Sequence, residues 1–218
     1  MLYEADSLTK VFKGRQVLNL EHLALEKHKI YALVGPNGAG KTTLLNILAF
    51  LDQPTLGKLS FCDTEVKYEL QHLLAVRRRV VLVDQYPILF TGSVRKNVEF
   101  GLKVRGVSRN LRERRVDEVL ELVQMRDFLL ADAHKLSGGE SKRIAMARAL
   151  AIEPEVLLCD EPTANVDVEN QKIILNILAQ INSEQKTSII MSTHYLSQSR
   201  NLAHHTLMLD HGKLAMTE

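Results

Sequence analysis

Cysteine is scarce in this sequence: only Cys62 and Cys159 occur, far apart and without metal-ligand spacing. That excludes a disulfide-stapled scaffold and a cysteine-built zinc site. Cys159, inside an apolar run, reads as a buried thiol of a reducing compartment. A secretory leader is also missing, because Met1-Leu2-Tyr3-Glu4-Ala5-Asp6 has neither a basic start nor an apolar stretch. The longest near-apolar runs, such as residues 44–51, fall far short of a membrane span. A soluble protein is therefore expected, with any membrane role coming through a partner. Charge of one sign is not in excess: 28 Lys and Arg against 26 Asp and Glu leave +2, which argues neither for nor against nucleic acid. Internal repeats, low-complexity tracts and long linkers are absent too.

What is present suits one large α/β domain, or a core with a small satellite: 218 residues, 45% hydrophobic and 25% charged. Residues 1–34 alternate in short runs broken at Lys13-Gly14 and Glu26-Lys27, which predicts two or three antiparallel strands leading into a buried one, IYALV at 30–34. Thr55-Leu56-Gly57-Lys58 reads as a turn before a strand at 59–62, and residues 70–79 as a helix before the strand 80–83. From 87 to 135 the texture changes. Val116, Val119, Leu120 and Val123 recur at helical spacing on a charge-rich background, which predicts an inserted α-helical subdomain, with the arginine-rich run 112–115 as a solvated helix face. Helices at 141–152, 169–182 and 195–203 then alternate with strands at 156–159 and 188–192, before terminal strands near 205–209 and 213–216. Such alternation predicts a mostly parallel, helix-covered sheet. The division is thus one domain over 1–218, its core 1–86 and 136–218 and its helical part about 87–135.

The stretch that organises the chain is Gly35-Pro36-Asn37-Gly38-Ala39-Gly40-Lys41-Thr42, which fits G-x-x-x-x-G-K-[ST], with an apolar strand before it and a helix from Thr43 after it. Glycines let the backbone curl so that successive N–H groups face one anion, and the helix start adds its own free N–H groups and positive dipole end. Lys41 supplies a point charge for β- and γ-phosphates, and the Thr42 hydroxyl a ligand for Mg²⁺. The chain is expected to be a P-loop nucleoside triphosphatase that binds residues 35–43 to its nucleotide.

Hydrolysis requires a metal-holding carboxylate and a group that activates water. The run VLLC at 156–159 ends in Asp160-Glu161, which supplies Asp160 for the metal and Glu161 as general base, beyond the carboxyl end of a strand where ligands of open α/β sheets sit. Leu136-Ser137-Gly138-Gly139-Glu140, before the helix 141–152, makes a second anion-binding helix start. One nucleotide is already cradled by the P-loop, so this start suggests service to a neighbouring subunit and a two-fold dimer sandwiching two nucleotides. His194 follows another apolar strand, Ser188 to Thr193, and is a candidate for contacting the γ-phosphate; His204 and His205 read as solvated or packing residues. Gln85, between the strand 80–83 and Pro87, could ligate Mg²⁺ or orient water while reporting to the helical stretch.

In this order the motifs resemble those of the nucleotide-binding subunit of an ATP-binding cassette (ABC) transporter, over nearly the whole chain. Residues 35–42 match Walker A, Gln85 the Q-loop, LSGGE at 136–140 the family signature, 156–161 Walker B, Ala164-Asn165-Val166-Asp167 the D-loop and His194 the H-loop. Phe12 matches the aromatic position that stacks on adenine. The resemblance implies that Ser137, Gly138 and Gly139 of one subunit contact the γ-phosphate held by the other, that Asp167 sits at the dimer seam, and that Glu161 polarises water. It also implies that the helical stretch receives a permease coupling helix, with Gln85 as the hinge. Ser141, where many members carry Gln, and ANVD, where SALD is common, are departures that remove no catalytic group, and the C-terminal regulatory domain of some importers is not expected.

Residues 92–102 resemble importer ATPases, and the compact length with ANVD resembles tungstate-type oxyanion importers. The implied cofactors are ATP and Mg²⁺. The implied partners are a second copy of the chain, a membrane permease and, indirectly, an extracytoplasmic solute-binding protein, with no nucleic acid, at the cytoplasmic face of the membrane. Polar amino acid uptake and export are rival roles. A non-transport ABC ATPase acting on DNA or ribosomes fits less well, because there is one cassette and no long heptad run. LSGGE and His194 argue against a P-loop kinase or GTPase.

Overall fold

The computed structural model describes residues 1–194 and 201–217. At its centre lies β3 (Ile30–Val34), whose five residues are all buried. It reads as a continuous apolar run because it has parallel neighbours on both sides and a covered sheet face above and below. Those neighbours are β9 (His205–Asp210) and β8 (Ser188–Thr193). Beyond β8 come β7 (Val156–Cys159) and β6 (Val80–Val83), and β10 (Lys213–Thr217) turns back against β9. Register places Val34 opposite Thr193, and Val83 opposite Cys159. The segments that follow these strands therefore emerge together along one edge, as the parallel-sheet expectation requires.

A second, antiparallel sheet has the order β2-β1-β4-β5, formed by β1 (Tyr3–Phe12), β2 (Arg15–Leu25), β4 (Leu56–Phe61) and β5 (Thr64–Glu65). Here one expectation is corrected. Leu56, Gly57 and Lys58 belong to β4 rather than to a turn. Gly57 has φ +91° and lies so close to the Ser7 carbonyl that a Cβ would fall 2.3 Å from its oxygen. The β1–β4 register shifts nearby, between Asp6 and Thr9, so the glycine marks an irregularity within a strand.

Side chains of β3 alternate between two cores. Ile30, Ala32 and Val34 face one, Tyr31 and Leu33 the other. Tyr31 and Leu33 pack with α1 (Lys41–Leu48) and the antiparallel sheet, where Tyr3, Phe50 and Phe61 form an aromatic cluster. The opposite face packs against α5 (Gly138–Leu150), α6 (Val168–Gln185) and the inserted helices α3 (Val94–Val104) and α4 (Arg109–Leu122). Truncating a fully buried leucine such as Leu33 or Leu158 to alanine should cost about 2–5 kcal/mol. Cys159 is buried and its thiol is pushed up to about 12 by that burial, so it stays a neutral packing group. Cys62 is partly exposed at the end of β4.

Between β6 and α5 the described elements are helical: α3, α4 and two 3₁₀ turns, closed by a single bridge between Ser93 and Asp132. Fully buried Asn97 holds the loop ahead of α3, accepting from Phe90 N and donating to the carbonyls of Phe90 and Ser93. The arginine run is only half solvated. Arg114 stands out and pairs with Glu118, whereas Arg112 turns back to the Val107 carbonyl and Arg115 to those of Leu150 and Ala151. A guanidinium at the end of α5 satisfies carbonyls that the helix leaves unpaired. Helix α2 (Leu70–Arg77) stops two residues short of the expected 70–79. The helix expected at 195–203 falls largely on 195–200, outside the described residues.

Candidate active site

The P-loop leaves β3 at Gly35, where the Leu209 carbonyl of β9 approaches so closely that a Cβ would sit 2.0 Å from it. Gly40, at φ +107°, then closes the loop as the N-cap of α1, and no side chain caps that helix. Its first-turn N–H groups are left for something other than the protein's own side chains. Lys41 is buried, and its ammonium donates to the carbonyls of Gly35 (2.8 Å) and Pro36 (3.0 Å).

Residues at the ends of β7 and β8 meet this loop. Thr42 Oγ1 donates to one oxygen of Asp160 at 2.6 Å, and Ser192 Oγ donates to the other at 2.5 Å. Ser192 Oγ also accepts from Glu161 N at 2.8 Å. Glu161 has φ 45°, the left-handed region that residues with a Cβ seldom occupy. Its carboxylate accepts from Gln85 Nε2 at 3.0 Å and lies 3.4 Å from His194 Nδ1 and 3.9 Å from Lys41 Nζ. A cavity of about 240 Å³ opens in front, lined by Val17, Asn37, Gly38, Gly40, Lys41, Thr42, Thr43, Gln85 and Glu161.

The structure therefore gathers most of the residues named from the sequence: the P-loop with Thr43, Gln85, Asp160, Glu161 and His194. Ala39 is buried beneath the loop, and its carbonyl accepts from Gly212 N. Phe12 is not brought to the cavity. It is 46% exposed, with the Lys10 ammonium 4.7 Å over its ring. Ser137, Gly138, Gly139 and Asp167 also lie away from the cavity lining.

Those four nevertheless adjoin one another. The signature does not precede its helix, as expected; α5 begins at Gly138, inside it, with Ser137 as N-cap. Ser137 Oγ accepts from Glu140 N at 3.3 Å, and the Glu140 carboxylate accepts from Ser137 N at 2.7 Å, which holds that carboxyl below its usual range. Asp167 caps α6 by accepting from Asn170 N at 2.9 Å, which lowers its pKa in the same way. Gly139 packs so tightly on the Asn170 amide that a Cβ would lie 2.5 Å from its Cγ.

Sequence reasoning missed three residues. Ser192 is fully buried between Asp160 and Glu161, and its only signal is a hydroxyl near the end of an apolar strand. Lys142 on α5 donates to the carbonyls of Glu161 and Ala164. Val17 reaches the cavity from the antiparallel sheet.

What the arrangement can do follows from its parts. Backbone donors and a buried ammonium face one cavity, hard oxygen donors stand at its foot, and a carboxylate beside an imidazole and an amide faces the same space. That is a phosphoryl-hydrolysis constellation.

Comparison with known proteins agrees. The family described as ABC transporter matches residues 18–164. The tungstate uptake system ATP-binding protein TupC of Peptoclostridium acidaminophilum is 37% identical over 214 residues, covering 98% of this chain and 97% of that protein. The methionine import ATP-binding protein MetN of Halalkalibacterium halodurans is 34% identical over 215 residues, and the match spans 96% of this chain but only 64% of that longer protein. Among solved structures, cbiO1 from Clostridium perfringens, part of the ABC transporter complex cbiONQ, superimposes with a TM-score of 0.91 at 26% identity over 98% of this chain and 86% of its own. The dimeric cassette MJ0796, in a post-hydrolysis state bound to ADP and Pi, gives 0.90 at 27% identity over 100% and 98%.

Proposed function

The chain belongs to the ABC transporter family, and on that premise we propose that it is an ATP-hydrolysing subunit driving uptake of a small solute, a tungstate-like oxyanion, through a separate membrane permease. The observation that carries this reading is the meeting of Lys41, Gln85 and Glu161 around one cavity, with His194 beside Glu161 and the Thr42–Asp160 pair next to them. The P-loop amides and Lys41 bind the phosphate chain. Glu161 takes the proton of the attacking water, oriented by Gln85, and His194 contacts the γ-phosphate.

Thr42 Oγ1, the Asp160 carboxylate and the Gln85 amide oxygen are hard oxygen donors, the set that suits Mg²⁺. When bound there, Mg²⁺ neutralises charge on the β- and γ-phosphates. The Thr42–Asp160 hydrogen bond keeps the two metal-facing oxygens in register with the loop.

A second copy completes the site. Ser137, Gly138 and Gly139 lie off their own chain's cavity, which fits a sandwich in which each copy's signature closes the other's nucleotide, with Asp167 at the seam. The permease docks on the cleft between α3, α5 and β6. Ile88, Phe90 and Phe100 expose large apolar surface there, beside a hollow of about 140 Å³ lined by Asp84, Pro87, Phe100, Gly101 and Arg148 among others. Gln85 lies next to this cleft in the chain and touches Glu161, so docking and hydrolysis share one link. No described helix is long and apolar enough to cross a membrane, in keeping with a peripheral subunit at the cytoplasmic face. An extracytoplasmic solute-binding protein delivers cargo to the permease.

The test is ATP hydrolysis by the chain reconstituted with its permease in vesicles, with tungstate, molybdate or methionine supplied. Stimulation by the oxyanions is expected. Stimulation by methionine alone would move the cargo to amino acids, as in the MetN relatives, and a wild-type chain that hydrolyses no ATP would overturn the reading.

A further inference from the structure

We infer that Lys142 is a positioning residue for hydrolysis: its ammonium fixes the backbone of Glu161 and joins the helix that carries LSGGE to the turn that carries the water-activating carboxylate. This rests on the reading of Glu161 given above. Lysine is almost never fully buried without partners, yet Lys142 is only 7% exposed. Its hydrogen bonds go not to a carboxylate but to two main-chain carbonyls, those of Glu161 at 3.1 Å and Ala164 at 2.7 Å. The Glu161 carbonyl accepts from Ala164 N as well, at 3.1 Å, so Lys142 clamps a single tight turn, 161–164.

The turn needs a clamp. Glu161 stands at φ 45°, a region that residues with a Cβ seldom occupy and that persists where the surroundings determine it, and Asn165, just beyond, has φ 57°, which asparagine adopts more readily. Ser192 Oγ holds the N–H of Glu161 and Lys142 Nζ holds its C=O, so the residue is pinned at both ends. With both peptide groups fixed, the direction in which its side chain leaves the backbone is fixed, toward Gln85 and His194. Lys142 lies one turn from Gly138 and Gly139 on α5, so it also fixes the signature relative to that carboxylate. In a sandwich dimer, a protomer's signature and its own Glu161 face different nucleotides. Lys142 then gives each protomer a rigid connection between the two sites.

The experiment compares Lys142→Met, which keeps chain length and removes every donor, with Lys142→Gln, which restores an amide donor. ATPase kcat and KM, ADP affinity by equilibrium titration and the melting temperature are measured for both and for wild type. Lys142→Met should lower kcat roughly ten- to a hundredfold, the scale of a misplaced catalytic group. ADP affinity should stay within about twofold, because the P-loop does not touch Lys142, and Lys142→Gln should regain part of kcat. A wild-type kcat in Lys142→Met, a parallel fall in ADP affinity, or a Lys142→Gln as slow as Lys142→Met overturns the proposal. Should Lys142→Met not fold, Lys142→Gln decides alone, and an unchanged kcat overturns. An inactive wild type overturns the reading of Glu161, and this proposal with it.

Discussion

Helices α1 and α5 both begin at glycines and both offer a positive end to an anion, yet they are built in opposite ways. The first, capped by Gly40 at φ +107°, has no side-chain cap and no acidic residue in its first turn, and buried Lys41 opens it. No side chain claims its first-turn donors, which suits an anion at this helix start. The second satisfies itself. Ser137 and Glu140 close a reciprocal capping box, and Glu140 already places a carboxylate at the dipole's positive end. The difference is one of local satisfaction: α1 leaves its start open, whereas α5 satisfies its own, and on the proposed reading the first would hold a phosphate chain within its own fold while the second would add contacts to one held by a second copy.

Four substitutions can break or sharpen that contrast. The largest effect is expected from Glu161→Gln. Loss of the general base should lower kcat by about 10²–10⁴ while both helix starts stay intact, so a nucleotide-bound dimer should accumulate. A monomer in gel filtration at saturating ATP would remove the sandwich. Next, Lys41→Ala takes the ammonium from α1 and should weaken ATP binding about ten- to a hundredfold, the worth of a charge-assisted hydrogen bond. Unchanged affinity by titration would take Lys41 out of the phosphate site. Ser137→Ala acts on α5 instead. It should cost about 1 kcal/mol in thermal unfolding through the lost cap. Monomer affinity for ATP should not move, while the dimer trapped by Glu161→Gln should dissociate more readily; weakened ATP binding by the monomer would erase the distinction between the two starts.

The smallest effect belongs to Glu140→Gln. The Glu140 carboxyl is held below its usual range by the Ser137 N–H, so its stabilisation is fully present above the usual carboxylate range and is lost as pH falls from there through the lowered folded-state value. Wild type should therefore exceed Glu140→Gln by about 0.3–1 kcal/mol near neutrality, with the gap closing in acid. A gap that does not change with pH in melting experiments would show that the carboxylate contributes nothing as a charge.

Much of this was legible in the chain because it is local. A buried strand followed by a glycine-rich turn identifies the P-loop, and an apolar strand ending in two carboxylates identifies Asp160 and Glu161, whatever the rest of the fold does. Ser192 and Lys142 were not legible, since their roles depend on register and packing across the molecule. Only the pairing of β7 with β8 brings the Ser192 hydroxyl between Asp160 and Glu161. Gly57 was misread because a glycine with positive φ serves a strand irregularity as well as a turn. The start of α5 was misplaced although its signal was present. Ser137 and Glu140 have the S-x-x-E spacing of a capping box, and the glycines between them obscured it. The arginine run looked uniformly solvated because charge patterning does not reveal which guanidiniums find carbonyls at the end of a neighbouring helix.

The two thiols have a practical consequence. Cys159 lies wholly inside the sheet and stays protonated, whereas Cys62 is partly exposed at the end of β4. A maleimide dye added to the unaltered chain should therefore react at Cys62 alone, giving each copy one fluorophore outside the ATP cavity lining. Energy transfer between differently coloured copies would then report closure and opening of a dimer in real time, turnover by turnover, without an engineered cysteine.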